Sequence, residues 1–168
     1  MIIRATAKLL NVARIKPINN DESIPNTASG EWYATLVSTG RKGGMAIYFL
    51  HNPSMISIIV MGKSLNKAIA QLPSRVTSSL ERNKFNDLIP LYDFESEPII
   101  YKTNNKSVLA IMNQLKSNIE YHLAMSENLE PDEIDKIEDI HLGVLLGGKI
   151  GRGSYITPLE ILEGMRAK

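Results

Sequence analysis

The sequence predicts an α+β fold: an antiparallel sheet of four to five strands with helices packed mainly on one face. Three observations carry this. Three apolar, β-prone segments follow one another between residues 31 and 61, and the short turns that join them force antiparallel neighbours. Later apolar residues recur at steps of three and four, the spacing of helices with one buried side. The chain has 168 residues, 43% hydrophobic and 22% charged, the composition of one globular domain over residues 1–168.

The elements follow in order. Residues 2–6 read as a short strand. Leu9, Leu10, Val12 and Ile15, interspersed with Lys8, Arg14 and Lys16, suit a short helix ending before Pro17. From Pro17 to Gly30 the chain turns to Asn, Asp, Ser, Pro and Thr, a surface loop within the domain. Glu31 to Thr39 is strand-like, with Trp32, Tyr33, Leu36 and Val37. Gly40-Arg41-Lys42-Gly43-Gly44 is a turn, and Met45 to Leu50 is apolar enough for a strand covered on both faces. His51-Asn52-Pro53-Ser54 turns again, and Met55 to Met61 is a third strand.

Ser64 stands where a helix cap is needed. Leu65, Ala68, Ile69, Leu72, Val76 and Leu80 then keep helical spacing, with Pro73 predicting a kink or two abutting helices. Pro98 to Thr103 is a strand. It leads into a helix with the stripe Val108, Ile111, Met112, Leu115, Ile119, His122 and Leu123. Pro131 opens another helix, with Ile134, Ile137 and Ile140 inward. Its acids Asp132, Glu133 and Asp135 lie where the helix dipole favours negative charge. After a glycine-rich segment from Gly143 to Gly153, Thr157-Pro158-Leu159-Glu160 is a capping box opening the last helix.

Composition narrows the chemistry. There is no cysteine, so disulfides, thiolate metal sites and cysteine nucleophiles are excluded. No apolar run has the length of a membrane helix, about 20 residues, and the N-terminus lacks a signal-peptide pattern. The expectation is a cytoplasmic protein with no membrane contact. The net charge of +1 is unevenly spread: residues 1–75 hold nine Lys and Arg against three acids, and residues 76–168 hold ten against fifteen. Glu127 to Asp139 is the sharpest acidic patch, read as solvated surface or as a face for a basic partner.

Several motifs carry little. Gly143-Val144-Leu145-Leu146-Gly147-Gly148-Lys149-Ile150 matches a phosphate-binding loop until Ile150, which stands where Ser or Thr should bind magnesium. Gly151 and Gly153 follow and oppose the helix such a loop needs, so a glycine connection is the better reading. His51, His122 and His141 have no metal spacing, and no metal or cofactor is expected. Asp93, Glu95 and Glu97 alternate, as three acids on a solvated edge would.

The candidate binding residues lie where a strand delivers the chain to a capped helix. Thr103, Asn104, Asn105, Lys106 and Ser107 run in succession, with Asn113 a turn and a half on. One Asn or Ser suffices for a cap. The excess of hydroxyl, carboxamide and ammonium groups beside free helix-start amides makes an anion site. Trp32 joins the candidates: Trp32 and Tyr33 point to opposite faces of a strand, so one ring enters the core and the other is available to stack on a base or ligand.

Thr103-Asn104-Asn105-Lys106-Ser107-Val108-Leu109, Met112-Asn113 and Glu120-Tyr121-His122 resemble the motif of an uncharacterised family of small bacterial proteins, a domain of unknown function. Ile2-Ile3-Arg4-Ala5-Thr6, Lys8-Leu9-Leu10, Trp32-Tyr33-Ala34-Thr35-Leu36, the Met45 to Val60 strands and Pro158-Leu159-Glu160 fit it as well. Lys106 stands where the family pattern has Arg, and Ala110-Ile111 where it has Gly-Ser. Lysine keeps the charge without the bidentate fork. The resemblance implies a shared α+β fold and no activity.

Two classes of function follow, with a third more weakly supported. The first is a non-enzymatic binding or regulatory protein acting through protein contacts, including self-association as a homodimer. The second is a small hydrolase or nuclease working on an anionic substrate at the Thr103 to Asn113 helix start, with His51 or His122 as base. The third is a nucleic-acid-binding module using the basic N-terminal part and an aromatic ring.

Overall fold

A computed structural model describes residues 1–18, 29–147 and 155–166. Most of the Pro17 to Gly30 loop, and the part of the glycine-rich segment holding Lys149 and Arg152, lie outside the described residues.

Five strands form one sheet: β1 (Ile2–Ala5), β2 (Glu31–Ser38), β3 (Met45–Asn52), β4 (Ser57–Met61) and β5 (Ile99–Lys102), in the order β4-β3-β2-β1-β5. The meander β2-β3-β4 is antiparallel, as its short turns require. The rest is not. β1 runs parallel to β2 on one side and to β5 on the other, so the sheet is mixed and the antiparallel expectation is corrected. The reason is connection length. Residues 6–30, which include helix α1 (Ala7–Ala13), separate β1 from β2, enough chain for the crossover that parallel neighbours need.

The expectation of helices mainly on one face is also corrected. Along β2, Trp32, Ala34 and Leu36 join one core while Tyr33 and Val37 join another. Alternating side chains of a strand point to opposite faces, so both faces are covered. On the first face lie α1, α2 (Leu65–Arg82), a 3₁₀ turn at Asn86–Leu91 and α5 (Pro158–Arg166). On the second lie α3 (Lys106–Met125) and α4 (Pro131–Leu142). β3, read as covered on both faces, is buried along Ala46–His51. α2 is one continuous helix with Pro73 inside it, not two abutting helices. In α4 the inward residues are Ile134, Ile137, Glu138, His141 and Leu142, while Ile140 faces out.

Glu138 explains that rotation of α4. Its side chain has no exposed surface, and one carboxylate oxygen accepts the backbone N–H of Ile59 at 2.8 Å. β4 is the sheet's edge, where unpaired N–H groups invite another strand. Arg75 of α2 donates to Glu138 at 2.7 Å and meets Asp135 at 2.8 Å. Arg82 reaches Asp135, Glu138 and Asp139 at 3.0, 3.3 and 3.1 Å. Burial works against the charged form of Arg82, and the carboxylates of Asp139, Asp135 and Glu138 outweigh it, raising its pKa. Burial raises the Glu138 pKa, against the pull of Arg75, the Ile59 amide and Arg82.

Glu138→Ala leaves the Ile59 amide and the two guanidiniums short of a partner, and such losses from buried pairs cost about 3–5 kcal/mol. Urea unfolding should show the loss, with Glu138→Gln losing less because its carboxamide oxygen still accepts from Ile59.

Candidate functional site

On the α3 face, the corner of the sheet nearest the start of α3 is polar. Arg4 of β1 sits in register between Tyr33 of β2 and Tyr101 of β5. It is only 3% exposed. Burying a guanidinium requires an ionic partner, and Glu31 supplies it. Nε and Nη2 of Arg4 donate to the two Glu31 oxygens at 2.7 and 2.6 Å, a bidentate pair. The Arg4 guanidinium also lies 5.5 Å from the centre of the Tyr101 ring. The hydrogen bond that Arg4 donates to Glu31 raises the Arg4 pKa against the effect of burial.

Glu31 is held in place by its neighbours. Gly30 precedes it with φ +77°, and a Cβ there would come within 2.3 Å of the Asn52 carbonyl oxygen. Only glycine tolerates that conformation and that approach. The Tyr33 hydroxyl is within 3.3 Å of both Glu31 Oε2 and Asn104 Oδ1. Burial, then the Glu31 charge, raises the Tyr33 pKa, so the phenol stays a donor at neutral pH.

The third wall is the start of α3. The Asn105 side-chain oxygen accepts the amides of Ser107 at 3.0 Å and Val108 at 3.3 Å, capping the helix. A cavity of about 490 Å³ opens between these walls, lined by Arg4, Glu31, Tyr33, Asn52, Asn104, Asn105 and Lys106. Its size is that of a small-molecule site. Arg4 and Glu31 neutralise each other. Lys106 is exposed, and no ion-pair partner for it is found among the described residues.

Of the sequence candidates, Asn104, Asn105 and Lys106 line this cavity. Thr103 stands beside them, its amide bonded to the Ala5 carbonyl. Ser107 contributes its amide to the cap, and Asn113 is exposed further along α3, outside the lining. Trp32 lies on the opposite face of the sheet, buried against Phe49, His51 and Tyr92. Neither ring of the Trp32-Tyr33 pair is free to stack, since both are buried. Arg4, Glu31 and Asn52 were not among the sequence candidates for the site, and Tyr33 was read only as the partner ring of Trp32. Charges inside otherwise apolar strand ends were the available signal, but without the parallel register nothing joined them to residue 104.

No histidine is in the lining. His51 is buried, with Nε2 2.9 Å from the Ser29 carbonyl and Nδ1 2.8 Å from Ser54 Oγ. A carbonyl only accepts, so Nε2 carries the proton and Nδ1 accepts from Ser54. The Tyr92 hydroxyl donates to Ser54 in turn. Burial pushes the His51 pKa down to about 4. His122 is near the other end of α3, its ring 6.0 Å from that of His141. Among the described residues no group of three or more His, Cys, Asp or Glu is placed to hold a metal ion. None of their helices is long and apolar enough to cross a membrane.

A family model described as a domain of unknown function, DUF6933, matches residues 2–159, and the chain belongs to that family. The matched span takes in all five strands and α1 to α4. No curated protein and no solved structure matches the chain.

Asn105→Ala should cost about 1 kcal/mol through loss of the cap, read by urea unfolding. His51 sets a pH dependence. From pH 6.5 down to about 4 the unfolded chain binds a proton at this residue and the folded chain does not, so stability falls as pH drops through that window. The loss attributable to His51 is about 3 kcal/mol. Unfolding at pH 7 and pH 4.5 should show a steeper loss in the native protein than in His51→Gln.

Proposed function

We propose that this protein is a non-enzymatic binding protein that takes a small anionic ligand at the cavity between Arg4, Glu31 and the start of α3. One observation carries the reading: a polar cavity in which, among the described residues, the charges cancel except for Lys106. A cation with no ion-pair partner among the described residues, at the rim of a concave polar surface, attracts an anion.

Binding is favoured over turnover by what surrounds the cavity. A hydrolase needs a base within hydrogen-bond reach of its nucleophile. The lining carboxylate, Glu31, is already engaged by Arg4 and Tyr33. Protein contacts drew their support from the uneven charge of the two halves and the lack of a catalytic set, yet within the sharpest acidic patch Asp135, Glu138 and Asp139 pair with Arg75 and Arg82 inside the molecule. Nucleic-acid binding loses its stacking ring with Trp32 buried.

A thermal-shift panel of small organic and inorganic anions at fixed ionic strength tests the reading. At least one anion should raise the melting temperature of the native protein and have a weaker effect on Lys106→Met, with Asn113→Ala behaving as native. A panel in which no anion distinguishes Lys106→Met from native overturns it.

A further inference from the structure

Away from the cavity, toward the far end of α3, we propose that His122 and His141 together bind one divalent transition-metal ion that prefers imidazole, such as zinc. This site is independent of the anion reading. His141, on the inner side of α4, is 1% exposed. Its Nδ1 lies 2.6 Å from the Ile137 carbonyl oxygen. A carbonyl only accepts, so Nδ1 carries a proton. Nε2 is buried and has no hydrogen-bond partner. A proton there would put a donor inside the protein with no acceptor, so the ring is neutral and Nε2 is a bare lone pair. A buried acceptor without a donor is costly, and an ion that takes up the lone pair removes the cost.

His122 supplies the second ligand. The two histidines are far apart in sequence, and the fold sets their ring centres 6.0 Å apart with planes at 87°. Two imidazoles on one ion, at metal–nitrogen bonds of about 2.0–2.1 Å, have ring centres roughly 5–6.5 Å apart between tetrahedral and linear arrangements. The bond from His141 Nδ1 to a backbone carbonyl is the outer contact that fixes the tautomer of a metal-bound histidine. Imidazole nitrogen suits zinc, copper and nickel, whereas magnesium takes oxygen. Among the described residues no third His, Cys, Asp or Glu joins the pair, so water completes the shell from the side of His122, which is half-buried. With fewer protein ligands than the four of a structural zinc site, the ion is exchangeable. It links the last turns of α3 and α4, the two helices of the second face.

The test follows the histidine rings of the full chain by long-range ¹H–¹⁵N NMR while Zn²⁺ is added. His51 is the internal control, because both its ring nitrogens are engaged. One equivalent of Zn²⁺ should shift the ring nitrogens of His122 and His141 together and leave those of His51 in place, and Mg²⁺ should move none of them. His122→Ala should weaken Zn²⁺ binding at least about tenfold, with unchanged His51 signals showing that the fold is kept. Zn²⁺ that shifts neither ring, or His122 alone, overturns the proposal. So does Zn²⁺ binding that His122→Ala leaves unchanged, or a proton found on His141 Nε2 in the metal-free protein.

Discussion

A single buried carboxylate joins three parts of this fold. Glu138 accepts a backbone amide from β4 and faces guanidiniums from α2, while its own helix lies on the other side of the sheet. A sheet edge needs a partner for its outward N–H groups. Here a side chain takes the place of a strand. The helix bearing it must pack where its carboxylate reaches Ile59, and the helix bearing Arg75 and Arg82 must pack where the charge is compensated. The two helices close around one edge from opposite faces, so the two-sided architecture and the covered edge have the same cause. Removing Glu138 would therefore loosen α2, α4 and β4 together, not one contact alone.

The same two-sidedness makes the polar corner stand out. α3 covers the second face only from Val108 onward, because Asn105 must cap it and the preceding residues must leave β5. Among the described residues no helix lies over the sheet in front of that start. The sheet there carries Arg4, Glu31 and Tyr33, whose buried polar atoms find partners in one another. The geometry that starts the helix thus also creates the cavity. The cap residues and the strand residues face each other across it.

Much of this was legible locally and little of it globally. Periodicity gave the helices, and turn chemistry gave the β2-β3-β4 meander, because both are short-range signals. The run from Thr103 to Ser107 was readable as a cap for the same reason, and Asn105 caps α3. Parallel pairing was not readable, since nothing in residues 6–30 names the neighbour of β1. Without the register, Arg4 and Glu31 were two charges 27 residues apart. The acidic run in α4 was read as surface because charge in a sequence carries no direction. The spacing of Asp135, Glu138 and Asp139 along one side of a helix, against Arg75 and Arg82 two turns apart, held the clue. Trp32 was a ligand candidate because strand alternation leaves one ring of the Trp32-Tyr33 pair outside a single core, and here each face has a core that buries its ring.

Lysine at position 106, where the resemblance led to an expectation of arginine, fits this division of labour. The arginine of the site is Arg4, fixed by its fork on Glu31 and buried beneath the cavity. Planar, bidentate recognition is thereby used inside the protein and is not available to a ligand. Lys106 is the opposite: exposed, long and without a planar demand. An ammonium on a flexible stem can meet an anion from many directions, whereas a guanidinium asks for a planar partner. The Asn105 carboxamide beside it is held in one orientation by the amides of Ser107 and Val108, and the fold sets that orientation before any ligand arrives.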